Sequence, residues 1–437
     1  MLSGNAGTEE LARRIERIAT RGGAELANCA VGVVCEGRVA CKFAWGSVRP
    51  GATRRFRRPF RTDSLIRVAS LSKPFVALAV LNLCERGLLD LDTDVSKLLA
   101  FRLRHPRHPD VAITPRMLLS HTSSLRDGER YSLPPHQSLS EFFDPDSEYW
   151  DDGAHFATPG AVGSAAADVD RPGAYFSYCN LGYGVLGTII ERTSGVRFDR
   201  FVSETVLVPM GLSGGFGLDA LSHDALARLV PPYRKTRNDR YDARGRWVAQ
   251  VDGRRRGRQL DASGSTAGYE TGTNATFMSP QGGLRASLDD LLALVLSMVD
   301  PRVRAASSVV TEPSLAEMMR AHWIYDPEHP NGETYDGLSR LAGLGLFRTT
   351  ATADAAGSDL LLPGGGPRLW GHHGDAYGFL GGVLFDPEAG YGFCFMIGGT
   401  AADPQTTRGR FSSYSWWEEA IQEAVLTVYP PPRSGTG

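Results

Sequence analysis

The chain has 437 residues, a formal net charge of -2, 42% hydrophobic and 22% charged residues. Such totals describe an ordinary soluble chain long enough for a large core and two lobes, and they exclude a nucleic-acid or anionic-membrane binder held by bulk charge. No run nears the roughly 18 apolar residues of a membrane span, and the start MLSGNAGTEELARRIERIATRGG lacks the apolar core of a secretory signal. A cytoplasmic protein is expected, provided that no leader has been removed.

In chain order, Leu11, Ile15 and Ile18 share one face of an amphipathic helix over 8–21. Two apolar, β-rich runs, Cys29 to Cys35 and Arg38 to Trp45, flank Glu36-Gly37 as a hairpin. The basic clusters at 54–58 and 254–258 read as solvated loops. After the short extended stretch 64–67, the segment RVASLSKPF opens an apolar helix, with Pro74 in its first turn and FVALAVLNLC behind it. Glu85, Arg86 and Gly87 close that helix.

Short helices are expected within LLDLDTDVSKLLA and TPRMLLSHTSSL, the second capped by Thr114 ahead of Pro115. Residues 126–175 are rich in Gly, Pro, Asp and Ser and read as loops over a cleft. Helical order resumes from Tyr178 and stops at Gly195. A polar, glycine-rich connection fills 231–274, and SLDDLLALVLSMV then forms a capped helix. Strands follow at 344–348, 369–373, 382–385 and 391–397, with a turn at 386–390 and a last helix over 415–429. The six cysteines show no CxxC pair and read as reduced, mostly buried thiols rather than disulfides or zinc ligands.

Three clusters carry chemistry. Ser70 and Lys73 stand three apart at a helix start and share a face. A serine hydroxyl needs a base, and a lysine serves as one only when partial desolvation lowers its pKa, which the adjoining apolar helix provides. Taken alone, SxxK is a common spacing, and a capping serine with a surface lysine is its bland alternative. In FSYCNLGYG, Tyr178 and Asn180 point the same way from an extended approach to a helix. The tyrosine is suited to supply a phenolate or relay a proton, and the asparagine to steady a lysine or a carbonyl, while packing and capping remain the alternative.

The third cluster is GHHGDAYGF. Glycine after a strand histidine lets a substrate backbone come close, and the peptide N–H just after Gly374, with that of Ser70, is placed for an oxyanion hole. Metal binding by His372 and His373 ranks below this, because adjacent strand residues face opposite sides. Gly211-Leu212-Ser213-Gly214-Gly215 satisfies GxSxG but lacks the strand before it and the helix after it that a nucleophile elbow requires.

The ordered set RVASLSKPF, LLSHTSSL, Pro172-Gly173, FSYCNLGYGVLG, SPQGGLRASLDDL and GHHGDAYGF resembles the serine β-lactamase-related superfamily. Its class C β-lactamases, DD-peptidases and family VIII carboxylesterases are the most similar branch, over roughly 25–425. The resemblance implies an α+β, β-lactamase/transpeptidase-like fold, an antiparallel sheet flanked by helices with a mostly helical second lobe. We expect residues 1–95 and 275–437 to form the sheet domain and 96–274 the insertion.

It further implies Ser70 as nucleophile, Lys73 as its activating partner and Tyr178 as the sharer of proton transfer. Asn180 would orient substrate and Lys73, and His372 would take the place of a lysine of the class C enzymes. His-x-Gly is similar to aminopeptidases and esterases of the group, and Asp375, where small residues are usual, would put a negative charge at the rim that disfavours carboxylate-bearing substrates. The expected function is a serine hydrolase of esters or amides, carboxylesterase-like, without metal or organic cofactor. Its partners would be a small-molecule substrate and an acyl acceptor, with no nucleic acid and no membrane. An acyltransferase of secondary metabolism, a DD-peptidase or D-amino-acid peptidase and a weak β-lactamase are the alternatives, ahead of a non-catalytic binding protein. The spacing predicts Ser70 Oγ, Lys73 Nζ and Tyr178 Oη within about 3 Å of one another along the network.

Overall fold

Segments far apart in sequence meet in one antiparallel sheet. The computed structural model describes residues 4–53, 55, 58–158, 169–255, 258–259, 266 and 268–432. Parts of both basic clusters and the centre of the 231–274 connection lie outside the described residues. The sheet comprises β1 (Asn28–Cys35), β2 (Arg38–Gly46), β3 (Trp323–Ile324), β4 (Leu341–Ala342), β5 (Phe347–Arg348), β6 (Trp370–Ala376), β7 (Phe379–Asp386) and β8 (Tyr391–Ile397). Their spatial order is β3-β4-β5-β6-β7-β8-β1-β2. The β1–β2 hairpin turns through Glu36 and Gly37, both at positive φ, as a two-residue turn between twisted strands demands. Its strand β1 locks onto β8, from Cys29 opposite Ile397 to Val34 opposite Gly392.

Helices cover both faces. On one, α1 (Gly4–Ala19) and α5 (Trp416–Val428) pack Leu11, Ile15, Trp417 and Ile421 against Val31, Val33, Phe393 and Phe395. On the other lie α2 (Lys73–Glu85), α3 (Asn180–Ser194) and α4 (Leu288–Val299), in one continuous core with Ala30, Val34, Val383 and Met396. Helix α4 sits directly on the sheet, and side chains at Gly32 and Gly392 would meet Leu292 at 2.8 Å and Val295 at 2.6 Å. Ser287 and Asp290 close a capping box at its start.

The apolar helix behind Ser70 is enclosed on all sides. Every residue of α2 from Lys73 to Leu81 is buried, against α3 and the helical segments at 198–207. All six cysteines are free thiols. Among the described residues no helix is long and apolar enough to cross a membrane.

Several elements differ from expectation. The connection after 231 holds strands: Tyr233–Arg237 pairs with Arg246–Ala249 and, in parallel, with Gly399–Thr400. Its Arg and Lys residues mask a strand that buries only Tyr233 and Thr236. The strand expected at 344–348 shrinks to β5, because Gly345 takes a φ of 67°. Strands β6 and β7 are longer than the expected 369–373 and 382–385, since Gly381 and Gly382 stay in register opposite Gly374 and His373. Helices at Pro301–Ser307 and Glu312–Met318, and 3-10 turns at Leu139–Phe143 and Asp151–Gly153, were not legible.

Truncating a fully buried α2 ring leaves a cavity. Phe75→Ala should therefore cost about 3–5 kcal/mol of stability by urea unfolding, whereas Leu88→Ala, at a side chain 46% exposed, should stay within about 0.5 kcal/mol.

Candidate active site

Ser70 lies in a 3-10 turn, Ala69–Ser72, that runs straight into α2. In a 3-10 turn residues three apart eclipse, which stacks the hydroxyl of Ser70 over the amine of Lys73. Ala69 enters the turn at a φ of 49°, a strained conformation for a residue with a Cβ. Ser72 pins it: its Oγ donates to the Ala69 carbonyl at 2.7 Å and accepts from the Leu284 N–H at 3.0 Å.

Lys73 is fully buried, yet its Nζ meets three oxygens from three parts of the chain. It donates to Ser70 Oγ at 3.0 Å, Asn180 Oδ1 at 2.9 Å and the Gln281 carbonyl at 2.8 Å. Burial drops its pKa from 10.5 to about 7, against the Asp127 carboxylate, which favours the ammonium. Tyr178 Oη donates to Ser70 Oγ at 2.7 Å. Burial raises the phenol pKa, a hydrogen bond to Ser70 opposing it, so Tyr178 is a neutral proton donor and the phenolate option falls.

The network has one consistent assignment with a neutral lysine. Tyr178 donates to Ser70, the Ser70 proton faces the Lys73 lone pair, and the two N–H groups of Lys73 go to Asn180 and Gln281. Asn180 is itself fixed, because the Asp127 carboxylate accepts from its Nδ2 at 2.8 Å, its N–H at 2.6 Å and the Leu181 N–H at 2.9 Å. Asp127 thus caps α3 and aims the amide oxygen at Lys73. Sequence reasoning missed Asp127, which sits in a stretch without periodicity, and Gln281, which acts through its carbonyl. His121, within LLSHTSSL, stacks its ring on Tyr178 at 4.4 Å, and its Nδ1 accepts from the Cys179 N–H at 3.0 Å.

Strand β6 closes the site from the other side. A Cβ on Gly374 would come within 2.7 Å of the Val68 carbonyl. Glycine is therefore required so that the strand can lie against the Ser70 turn, and approach of a substrate backbone, the expected reason, is not needed to explain it. His372 is buried, with its Nδ1 donating to the His373 carbonyl at 2.6 Å. Burial, with Lys73 nearby, lowers its pKa to about 3, so it is a neutral imidazole. His373 faces the opposite side, against Tyr414 and Phe395. Asp375 is exposed at the cavity rim and accepts from Gln405 Nε2 at 3.1 Å.

Ser70, Tyr178, His372, Gly374 and Asp375 line one cavity of about 480 Å³, while Lys73 and Asn180 lie behind it. Ser213 instead precedes a two-residue strand and donates its backbone N–H to Asp290 at 2.9 Å, which is no nucleophile elbow. His105, His108 and Asp170 lie close enough to suggest a metal site, but both ring nitrogens of His105 are engaged by the Ala157 carbonyl and the Arg107 N–H.

This fold, with a serine wired to a buried lysine and a tyrosine, places the chain in the β-lactamase-like class. The chain belongs to the beta-lactamase family, whose family model, described as Beta-lactamase, matches residues 15–410. It is 31% identical over 161 residues to penicillin-binding protein 4* of Bacillus subtilis, covering 36% of this chain and 31% of that protein. It is 34% identical over 166 residues to esterase EstB of Burkholderia gladioli, covering 37% and 40%. The chain thus spans less than half the length of these two relatives. A longer match, 27% over 340 residues, 71% of this chain and 74% of that protein, is to monacolin J acid methylbutanoyltransferase of Aspergillus terreus. The β-lactamase/D-alanine carboxypeptidase of Yersinia pestis shares the fold, with a TM-score of 0.61 at 16% identity over 97% of this chain and 99% of that one.

If Lys73 is the group that must lose its proton, log(kcat/KM) for a neutral ester should rise with unit slope up to about pH 7 and level above it. His372, at about 3, should add no limb in the working range. Glu418, also near 7, lines the same cavity, so Glu418→Gln should keep the limb. Asp127→Asn should lower kcat/KM about 10- to 100-fold by misplacing Asn180. It should also move the limb to lower pH, because the carboxylate that favours the ammonium is gone.

Proposed function

We propose that the protein hydrolyses small esters through an acyl-enzyme on Ser70. The observation that carries this reading is the pair of contacts on Ser70 Oγ, one from a neutral phenol and one from an amine that burial brings to about 7. In this reading Ser70 Oγ attacks the ester carbonyl carbon and its proton passes to Lys73. The backbone N–H groups of Ser70 and Asp375 hold the oxyanion. As the C–O bond breaks, the leaving alkoxide takes a proton from Tyr178, which is resupplied from Lys73. Water then attacks the acyl carbon and gives its proton to Lys73; as the acyl C–O bond breaks, Tyr178 protonates Ser70 Oγ and is resupplied from Lys73, which frees the carboxylic acid and the Ser70 hydroxyl.

Esters are favoured over β-lactams and peptides with a terminal carboxylate by the charges around the site. His372 is neutral, and Asp375 stands at the rim with no cation at ion-pair distance among the described residues. The relative named an esterase supports this choice. Acyl transfer is the second reading, favoured by the methylbutanoyltransferase, which covers more of the chain. The two differ only in whether water or an acceptor reaches the acyl-enzyme.

The test is steady-state release of nitrophenolate from p-nitrophenyl butyrate, with and without a primary alcohol, and analysis of the acyl product. Continuous release of butyrate, lost by at least about 10³-fold in Ser70→Ala, supports the hydrolase. A burst that continues only with alcohol, yielding the butyrate ester, would replace it by the transferase. Equal release by Ser70→Ala would sink both.

A further inference from the structure

The cavity beside Ser70 does not stop at His372. Between Gly371, opposite β5, and its end, β6 has one free edge, and the cavity wraps around it. Residues from both strand faces therefore line one space, which reaches Tyr414 and Glu418 at the start of α5.

Four charged side chains line that space: Asp336, Asp375, Arg408 and Glu418. Arg408 Nη2 donates to Asp336 at 3.0 Å, so those two offset one another. Asp375 and Glu418 have no ion-pair partner among the described residues. Among the described residues Asp375 accepts from Gln405 alone, and Glu418 from Ser415 alone, through its N–H at 3.2 Å and its Oγ at 2.7 Å. Glu418 is 8% exposed, and its burial raises its pKa to about 7, with Asp375 adding to the rise and Arg408, beyond ion-pair distance, opposing it.

A second observation, independent of the carboxyls, concerns His372. Its Nδ1 donates to the His373 carbonyl, which leaves the lone pair on Nε2. That Nε2 has no partner among the described residues, and the residue is only 3% exposed. The ring lies between Tyr178 and Phe347, which line the same cavity. A buried acceptor of this kind is satisfied by a donor on a ligand.

Resting on the Ser70 acyl-enzyme reading, we propose that this cavity selects a substrate or acyl acceptor bearing a protonated primary amine. Glu418 and Asp375 hold the ammonium group at the far end, and His372 Nε2 accepts from a donor nearer the scissile carbonyl. An anionic group of the same length meets two carboxyls that have no cation at ion-pair distance among the described residues, Arg234 and Arg408 acting on them only from farther off, and is rejected.

The test uses hexylammonium, 1-hexanol and hexanoate as competitors of p-nitrophenyl butyrate hydrolysis at about pH 8, where the amine is charged and both carboxyls are ionised. The expected Ki for hexylammonium is at least about tenfold below those of the other two. In an Asp375→Asn/Glu418→Gln double variant, the ratio of the hexanol Ki to the hexylammonium Ki should fall to about one. Gln at position 418 keeps the capping box and Asn at 375 keeps a partner for Gln405. Equal Ki values for the three head groups, or a ratio unchanged in the double variant, would overturn the proposal. Calorimetric titration with the same compounds reads binding without turnover, so loss of ester hydrolysis alone would count against the Ser70 reading and not against the cation site.

Discussion

The constraint on which the site depends is the burial of one primary amine. An unpaired ammonium in an apolar core costs several kcal/mol, and a protein answers by pairing it or by letting it lose its proton. Lys73 has both answers at once: burial drives its pKa to about 7, and the Asp127 carboxylate holds it from falling further. Its three oxygen partners belong to the turn before α2, the start of α3 and the segment before α4. To satisfy one amine the fold must bring residues 70, 180 and 281 together, and that requirement places the Ser70 hydroxyl.

Strand β6 makes the other wall under a related constraint. At Gly374 it lies so close to Val68 that no side chain fits. The same strand then presents His372 to the serine and His373 and Asp375 to the opposite side. Because its outer edge is free over that stretch, one cavity samples both faces. The strand thus lines the cavity with His372 on the Ser70 side and with the Asp375 carboxyl on the other.

Much of this was legible because it follows from spacing. Ser70 and Lys73 were visible as a pair on one face ahead of an apolar run, and Tyr178 and Asn180 as alternate residues of an extended approach. Strands β1, β2 and β5 to β8 were visible from their apolar runs, with ends displaced where glycines sit, whereas the two-residue strands β3 and β4 were not. What escaped had no side-chain pattern to show. Asp127 lies among Gly, Pro and Ser residues and acts by capping a helix 53 residues later. Gln281 contributes a main-chain carbonyl, for which any residue would serve. Gly374 was noticed, but its function as a contact between two parts of the protein depends on packing that local sequence does not encode. The strand at 233–237 hid behind the polar run Arg234, Lys235 and Arg237, of which Arg237 faces solvent and the other two are half-buried.

The central claim is that Ser70, activated by a buried amine, carries the acyl group. Its most direct test is intact-protein and peptide mass spectrometry after brief exposure to p-nitrophenyl butyrate and acid quenching. One butyryl adduct on the peptide containing Ser70, absent from Ser70→Ala and strongly reduced in Lys73→Met, is the expected result. An adduct on another residue, or one that persists in Ser70→Ala, would contradict it.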